Sequence, residues 1–173
     1  VVFTKHFKPM VIGTFIMVAT YSLFYIMTAF AQAYSRTSAT LSEAGYPMGL
    51  GIPANTFTGL LLMSAIIFAI FISISGLYAD KIGRRKWLIW TTVSILIFAL
   101  CMPLFLGNGT PTSVFAFLVI GMALMGMTFG PMAALLPELF PTEVRYSGAS
   151  LAYNIASIIG ATIAAMISLK INA

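Results

Sequence analysis

Two sets of neutral polar side chains stand out in a chain that is 60% hydrophobic and only 8% charged. Tyr21, Tyr25, Thr28 and Gln32 recur at i, i+4, i+7 and i+11; Ser150, Tyr153, Asn154 and Ser157 recur at i, i+3, i+4 and i+7. On a helix of 3.6 residues per turn each set forms one stripe. Hydroxyls and amides offer hydrogen bonds without a readily lost proton, so the chemistry within reach is reversible recognition of a small solute. Asn154 is the sharpest case, because an amide must satisfy two donor hydrogens and an acceptor. Tyr21 and Tyr25 are rigid rings with one hydrogen-bonding tip each. Two readings compete: the stripes bond across neighbouring helices at ~0.6 kcal/mol each on average, or they line a water-filled cavity that binds solute at mid-membrane.

A third set is charged. Gly76-Leu-Tyr-Ala-Asp80-Lys81-Ile-Gly83-Arg84-Arg85-Lys86 holds five of the chain's thirteen Asp, Glu, Lys and Arg residues. Pro137-Glu138-Leu-Phe-Pro141-Thr142-Glu143-Val-Arg145 holds three more. Asp80 can pair with Arg84 or accept backbone N–H groups at a helix start. Gly76, lacking a side chain, would let its helix approach another closely.

These residues need elements to carry them, and the rest of the chain supplies five apolar runs, at about 10–33, 55–78, 87–106, 113–136 and 146–169. Each reaches the ~20 residues that a helix needs to cross ~30 Å of hydrocarbon. A mean hydropathy of +1.02 excludes a soluble domain. The expected fold is therefore an all-α integral membrane protein with five transmembrane helices. Residues 34–54 read as an external loop, 79–86 and 137–145 as cytoplasmic loops, and Gly107 to Pro111 as a tight turn. Asn108-Gly-Thr is also a glycosylation sequon, for which the turn is a sufficient explanation. The basic start with Ala31-Gln32-Ala33 imitates a secretory signal, but its apolar core is too long for one.

Lys5, Lys8, Lys81, Arg84, Arg85, Lys86 and Arg145 fall on one side of the membrane; only Arg36 and Lys170 fall on the other. The positive-inside rule then puts the amino end and both charged loops in the cytoplasm. The net charge of +5 is thereby assigned to topology, and nucleic acid is not an expected partner. Trp87 and Trp90 fit an interfacial belt, with core packing of Trp90 as the alternative. Gly126 and Gly130 form a GxxxG beside Pro131, which reads as close packing against a neighbour or as a bend. The run at 87–106 has the fewest polar groups and reads as lipid-facing. Cys101 stands alone, without disulfide or metal-ligand spacing. No run contains Asp, Glu, Lys, Arg or His, and none offers paired carboxylates or a Ser-His pair, so neither an enzyme nor a metal site is expected.

The string from Gly76 to Lys86 fits G-x-x-x-D-[RK]-x-G-R-[KR] and resembles the cytoplasmic loop signature of the major facilitator superfamily of secondary transporters. Pro137 to Gly148 resembles the P-E-x-F-P-T-x-x-R-x-[ST]-G pattern between the tenth and eleventh helices of that superfamily. Carried through Tyr153-Asn154, the string is similar to the metabolite:proton symporter family, whose members carry dicarboxylates, 2-oxoglutarate, shikimate, citrate, proline and betaine. The resemblance covers the whole chain and implies helices seven to eleven, most of one six-helix half. The first six helices and the twelfth would be missing, in keeping with a chain that begins at Val1 without an initiator methionine.

The resemblance implies proton-coupled symport of a small organic acid, zwitterionic metabolite or osmolyte by alternating access in a bacterial inner membrane. The proton gradient would be the energy source, with no cofactor. The partners would be the solute, the lipid bilayer and the remaining helices of the same protein. Candidate cavity contacts are Tyr21, Tyr25, Thr28, Gln32, Tyr153, Asn154 and Ser157. Candidate members of a conformational switch, which biases alternating access without touching solute, are Gly76, Asp80, Gly83, Arg84, Arg85, Glu138, Glu143 and Arg145. The proton carrier is expected in the missing half. The alternative is a membrane sensor or scaffold that keeps the fold without transport, or an inactive truncated product.

Overall fold

The structure is a computed structural model that describes residues 6–36, 49–107 and 110–171, with side chains to Met166. Among the described residues the regular elements are all helical: α1 (Phe7–Tyr25), a π-helical turn (Ile26–Phe30), α2 (Ala31–Arg36), α3 (Ala54–Ile82), α4 (Arg84–Leu106), α5 (Pro111–Glu138) and α6 (Arg145–Ile171). The turn joins α1 and α2 into one rod, so among the described residues five stretches are long and apolar enough to cross a membrane. The expected all-α, five-span class is the class found. Helices are the open-ended solution in lipid because each satisfies its own backbone N–H and C=O groups. Asn108, residues 37–48 with Glu43, Lys5 and the side chain of Lys170 lie outside the described residues.

Local chemistry fixes the joints. Thr110 caps α5: its Oγ1 accepts the Ser113 N–H at 3.3 Å, and Pro111, which has no N–H to satisfy, takes the first helical position. Between α3 and α4 only Gly83 leaves the helical path, with φ at +98°, a value that side chains disfavour. Its N–H still donates to Ala79 O at 3.0 Å, and its carbonyl accepts from Trp87 N–H at 3.1 Å. The loop expected over 79–86 is thus a one-residue joint. Its charged side chains extend the helices beyond the apolar run, where they meet water.

α5 is the centre of the bundle and touches α1, α3, α4 and α6. It meets α3 through the two glycines of the GxxxG. A Cβ on Gly126 would lie 2.8 Å from Phe68 O, and one on Gly130 would lie 2.6 Å from Ile72 O. The buried Ser75 hydroxyl lies 3.0 Å from the carbonyl oxygens of both Ile72 and Gly126, tying the helices where they are closest. Close packing is therefore the reading that holds; α5 runs on through Pro131 and Pro137 to Glu138 without a break. Gly76 corrects its expected role. A Cβ there would meet nothing within 4 Å, and the approach is made from the opposite side by Gly130, whose Cβ would lie 3.1 Å from Gly76 N.

α6 lies along α1, with buried Ala149, Ala152 and Ala156 packed among Met17, Met132 and Leu136. Gly160 admits the α1 backbone, since a Cβ there would lie 2.9 Å from Ser22 N. α4 covers the other flank of α5 through stacked Phe98 and Phe117, 5.1 Å between centroids. Trp87 Nε1 donates to Met127 O at 2.9 Å and its ring stacks on Tyr78. Trp90 is 72% exposed and is not packed against the described helices; Trp87 is the packed member of the pair. Leu96, Leu100 and Leu104 are exposed with Trp90. In lipid such contacts hold by close packing and hydrogen bonds, since hydrocarbon surrounds both states.

Candidate functional site

The small residues that seat α6 on α1 bring part of the two polar stripes together. Tyr25 Oη and Ser157 Oγ lie 3.1 Å apart, a hydroxyl pair that bridges positions 132 residues apart in the chain. One turn away, the Tyr21 ring meets Phe129 of α5 edge-on at 6.3 Å, and Phe129 meets Phe68 of α3 in the same way at 6.0 Å. Tyr21 and Tyr153 pack, half-buried, against the same Met17–Leu136 cluster. Tyr21, Tyr25, Tyr153 and Ser157 thus gather at the α1–α6 seam.

The remaining candidates sit differently. Asn154 is exposed beside the seam, and its Nδ2 donates to Ser150 O at 2.8 Å on its own helix. One donor of the amide is thus satisfied by a bond one turn back on its own helix. Thr28 Oγ1 likewise donates to Phe24 O at 2.8 Å. Gln32, half-buried in α2, does not continue the Tyr21–Tyr25 line. The π turn between them holds one more residue per turn than an α-helix and shifts the phase of everything after it. Sequence spacing assumed a uniform period and could not register that shift.

At one end of the bundle a second constellation joins the two charged strings. Arg84 Nε donates to Asp80 Oδ1 at 2.9 Å and Nη1 donates to Glu138 Oε1 at 2.7 Å. One guanidinium therefore ties the α3–α4 joint to the end of α5. The carboxylates are well exposed, so the network contributes little to stability, and its value is geometric. Arg85 and Glu143 are exposed and form no ion pair among the described residues. Arg145 donates from Nε to Phe140 O at 3.3 Å and meets no carboxylate among them. Of the charged switch candidates, only Asp80, Arg84 and Glu138 are joined, while Gly83 supplies the joint beneath them.

Gly148 has a packing reason: the ring of Phe140, only 2% exposed, fills the space where its Cβ would be. Phe140, Arg145 and Gly148 of the second string are thus one folded unit at the entrance to α6. One residue escaped the sequence reading, and another was read as a belt residue without its packing contact. Ser75, a lone hydroxyl in an apolar run, signals a helix contact only once its partner glycines are known. Trp87 differs from Trp90 only by its helix face.

Residues 2–166 match the Major Facilitator Superfamily. The chain belongs to that superfamily. A Haemophilus influenzae protein provisionally named for metabolite transport is 87% identical over 173 residues, all of this chain and 40% of its own length. The Escherichia coli inner membrane metabolite transport protein YhjE is 53% identical over 167 residues, 95% of this chain and 36% of its own. The Salmonella typhimurium proline/betaine transporter is 28% identical over 158 residues, 90% of this chain and 29% of its own. The chain spans two fifths or less of the length of these relatives. No solved structure matches it. As a multi-pass segment of a facilitator-superfamily protein, it presents a seam of hydroxyls between α1 and α6 and an arginine-centred network at one end of the bundle.

Proposed function

We propose that this chain is part of a secondary transporter that moves a small organic acid, zwitterionic metabolite or osmolyte across a bacterial inner membrane by alternating access, coupled to protons. The observation that carries this reading is the Tyr25–Ser157 bridge. It ties the polar faces of α1 and α6 at a depth where hydroxyls are costly unless they meet each other, water or a solute. Asn154 and Ser150, exposed beside the bridge, extend the same polar surface. Membership in the superfamily and relatives named for metabolite and proline/betaine transport support the solute class. The proton carrier is assigned to helices beyond this chain, since its apolar runs hold no acid, base or histidine. Arg84, Asp80 and Glu138 form a latch that biases the exchange between open states, on the cytoplasmic side by the distribution of Lys and Arg.

The test is uptake into proteoliposomes by the Haemophilus influenzae relative carrying this chain in place of its matching segment. Labelled glycine betaine, proline and succinate are offered with and without an imposed pH gradient. The reading expects gradient-dependent accumulation of at least one of them and a severalfold loss in Asn154→Leu. Normal uptake by Asn154→Leu removes that residue from the cavity. Absence of solute-coupled proton movement favours a sensor or scaffold on the same fold.

A further inference from the structure

We infer that Tyr21, Phe129 and Phe68, with Tyr153 beside them, form an aromatic corner that holds the methylated ammonium group of the transported solute. The inference rests on the transporter reading and deepens it. Among the solutes that reading admits, it selects zwitterions with a permanent cation over di-acids.

The corner is built across three helices. Phe129 of α5 stands between Tyr21 of α1, at 6.3 Å with the planes at 77°, and Phe68 of α3, at 6.0 Å and 78°. Neighbouring rings at nearly right angles leave π faces converging on one space, whereas stacked rings would cover each other. Phe117, which stacks on α4, lies roughly 120° around α5 from Phe129, so Phe129 opens on the side away from α4. Tyr153 of α6 packs against the same cluster as Tyr21, and its hydroxyl is within electrostatic reach of the Tyr21 hydroxyl. All four rings are half-buried and keep part of their surface open. Tyr21 and Phe68 stand halfway along Phe7–Arg36 and Ala54–Ile82, the depth at which a transported solute is held.

The chemistry of the rings sets the ligand. An aromatic face carries the negative side of a quadrupole and attracts a cation, more strongly where the cation has shed water. The apolar runs contain no Asp or Glu, so at this depth the rings supply an attraction that no carboxylate of these runs provides. An –NH3+ group brings three donor hydrogens, each in need of an acceptor, and ring faces serve them poorly. A methylated ammonium has few or no donors and spreads its charge over methyl groups, which pack on carbon. The same faces repel an anion. Succinate would therefore gain nothing from this corner, while glycine betaine would seat its trimethylammonium head there.

The test uses the same full-length chimaera, in detergent for binding and in proteoliposomes for uptake. Titration calorimetry compares glycine betaine with tert-butylacetate, which has carbon in place of the ammonium nitrogen and keeps the shape and the carboxylate. The inference expects glycine betaine to bind about tenfold more tightly or better. Phe129 is then replaced by mono-, di- and trifluorinated phenylalanine, which drain the π face with little change in ring size. Affinity for glycine betaine should fall stepwise, about tenfold across the series, with thermal midpoints measured alongside to show that each protein is folded. A ring that only packs would give no such series. Absence of glycine betaine binding, equal binding of tert-butylacetate, or an affinity indifferent to fluorine overturns the inference. Proton-driven uptake of succinate alone leaves the transporter reading standing and removes the corner. Fluorine-sensitive binding of glycine betaine without uptake of any solute does the reverse.

Discussion

Arg84 reaches Glu138 across 54 positions of sequence, Nη1 to Oε1 at 2.7 Å, while its Nε holds Asp80 one turn back at 2.9 Å. The bond to Asp80 fixes the guanidinium on its own helix pair. The bond to Glu138 gives that pair a reach to α5. Exposed ion pairs of this kind hardly alter folding equilibria, so their effect is expected where two arrangements of similar energy compete.

Arg84→Ala and Glu138→Gln in the chimaera should therefore leave the thermal midpoint in detergent nearly unchanged and lower the initial uptake rate severalfold. Thiol labelling of a cysteine placed on the opposite side of the cavity should change in the same variants. Unchanged uptake together with unchanged labelling would show that the charges serve topology alone.

The Tyr25–Ser157 bridge can be weighed by a double-mutant cycle of Tyr25→Phe and Ser157→Ala. Hydroxyl bonds within membranes average about 0.6 kcal/mol, with maxima near 1.7, and the coupling should fall in that range. Reversible unfolding in mixed micelles measures it. A coupling of zero would mean that the hydroxyls prefer water or solute to each other.

The helix pairing at the centre predicts a contrast between glycines. Gly130→Ala sets a methyl group against Ile72 O and the Ser75 hydroxyl and should destabilise by about 1–3 kcal/mol, the usual cost of overpacking. Gly59→Ala, whose methyl meets nothing within 4 Å, should stay within about 0.5 kcal/mol. Thermal midpoints of the two variants, measured side by side, check the difference.

The two tryptophans should separate in a bilayer. In the 173-residue chain reconstituted with brominated lipid, Trp87→Phe leaves Trp90 as the only indole, and its fluorescence should be strongly quenched. Trp90→Phe leaves Trp87, bonded to Met127 O and stacked on Tyr78, and quenching should be weak. Equal quenching would contradict the face assigned to α4.

The spans were legible because burial in hydrocarbon demands long apolar runs, and such runs survive without any knowledge of their neighbours. Which helix meets which was not legible. Gly126 and Gly130 announced a close contact, but their partners, the backbone of Phe68 to Gly76 and the Ser75 hydroxyl, lie 50 to 60 residues away and look unremarkable alone. The site was legible in part for a different reason. Tyr21, Tyr25, Tyr153 and Ser157 share a seam because their helices keep a regular period up to the seam. Gln32 lies past the π turn and loses that phase. Asn154 was visible as polar, but its choice of the Ser150 carbonyl depends on backbone geometry that spacing does not encode.

The single non-helical residue between α3 and α4 has a consequence for experiments on motion. Gly83 is the only joint between them, and Trp87 and Tyr78 stack across it, so the two rods are linked at this end by one residue and one ring contact. Spectroscopic tags on the outward flanks of both helices, at Leu100 of α4 and Leu62 of α3 for instance, would read whether that link makes them move together, without disturbing any side chain at the polar seam.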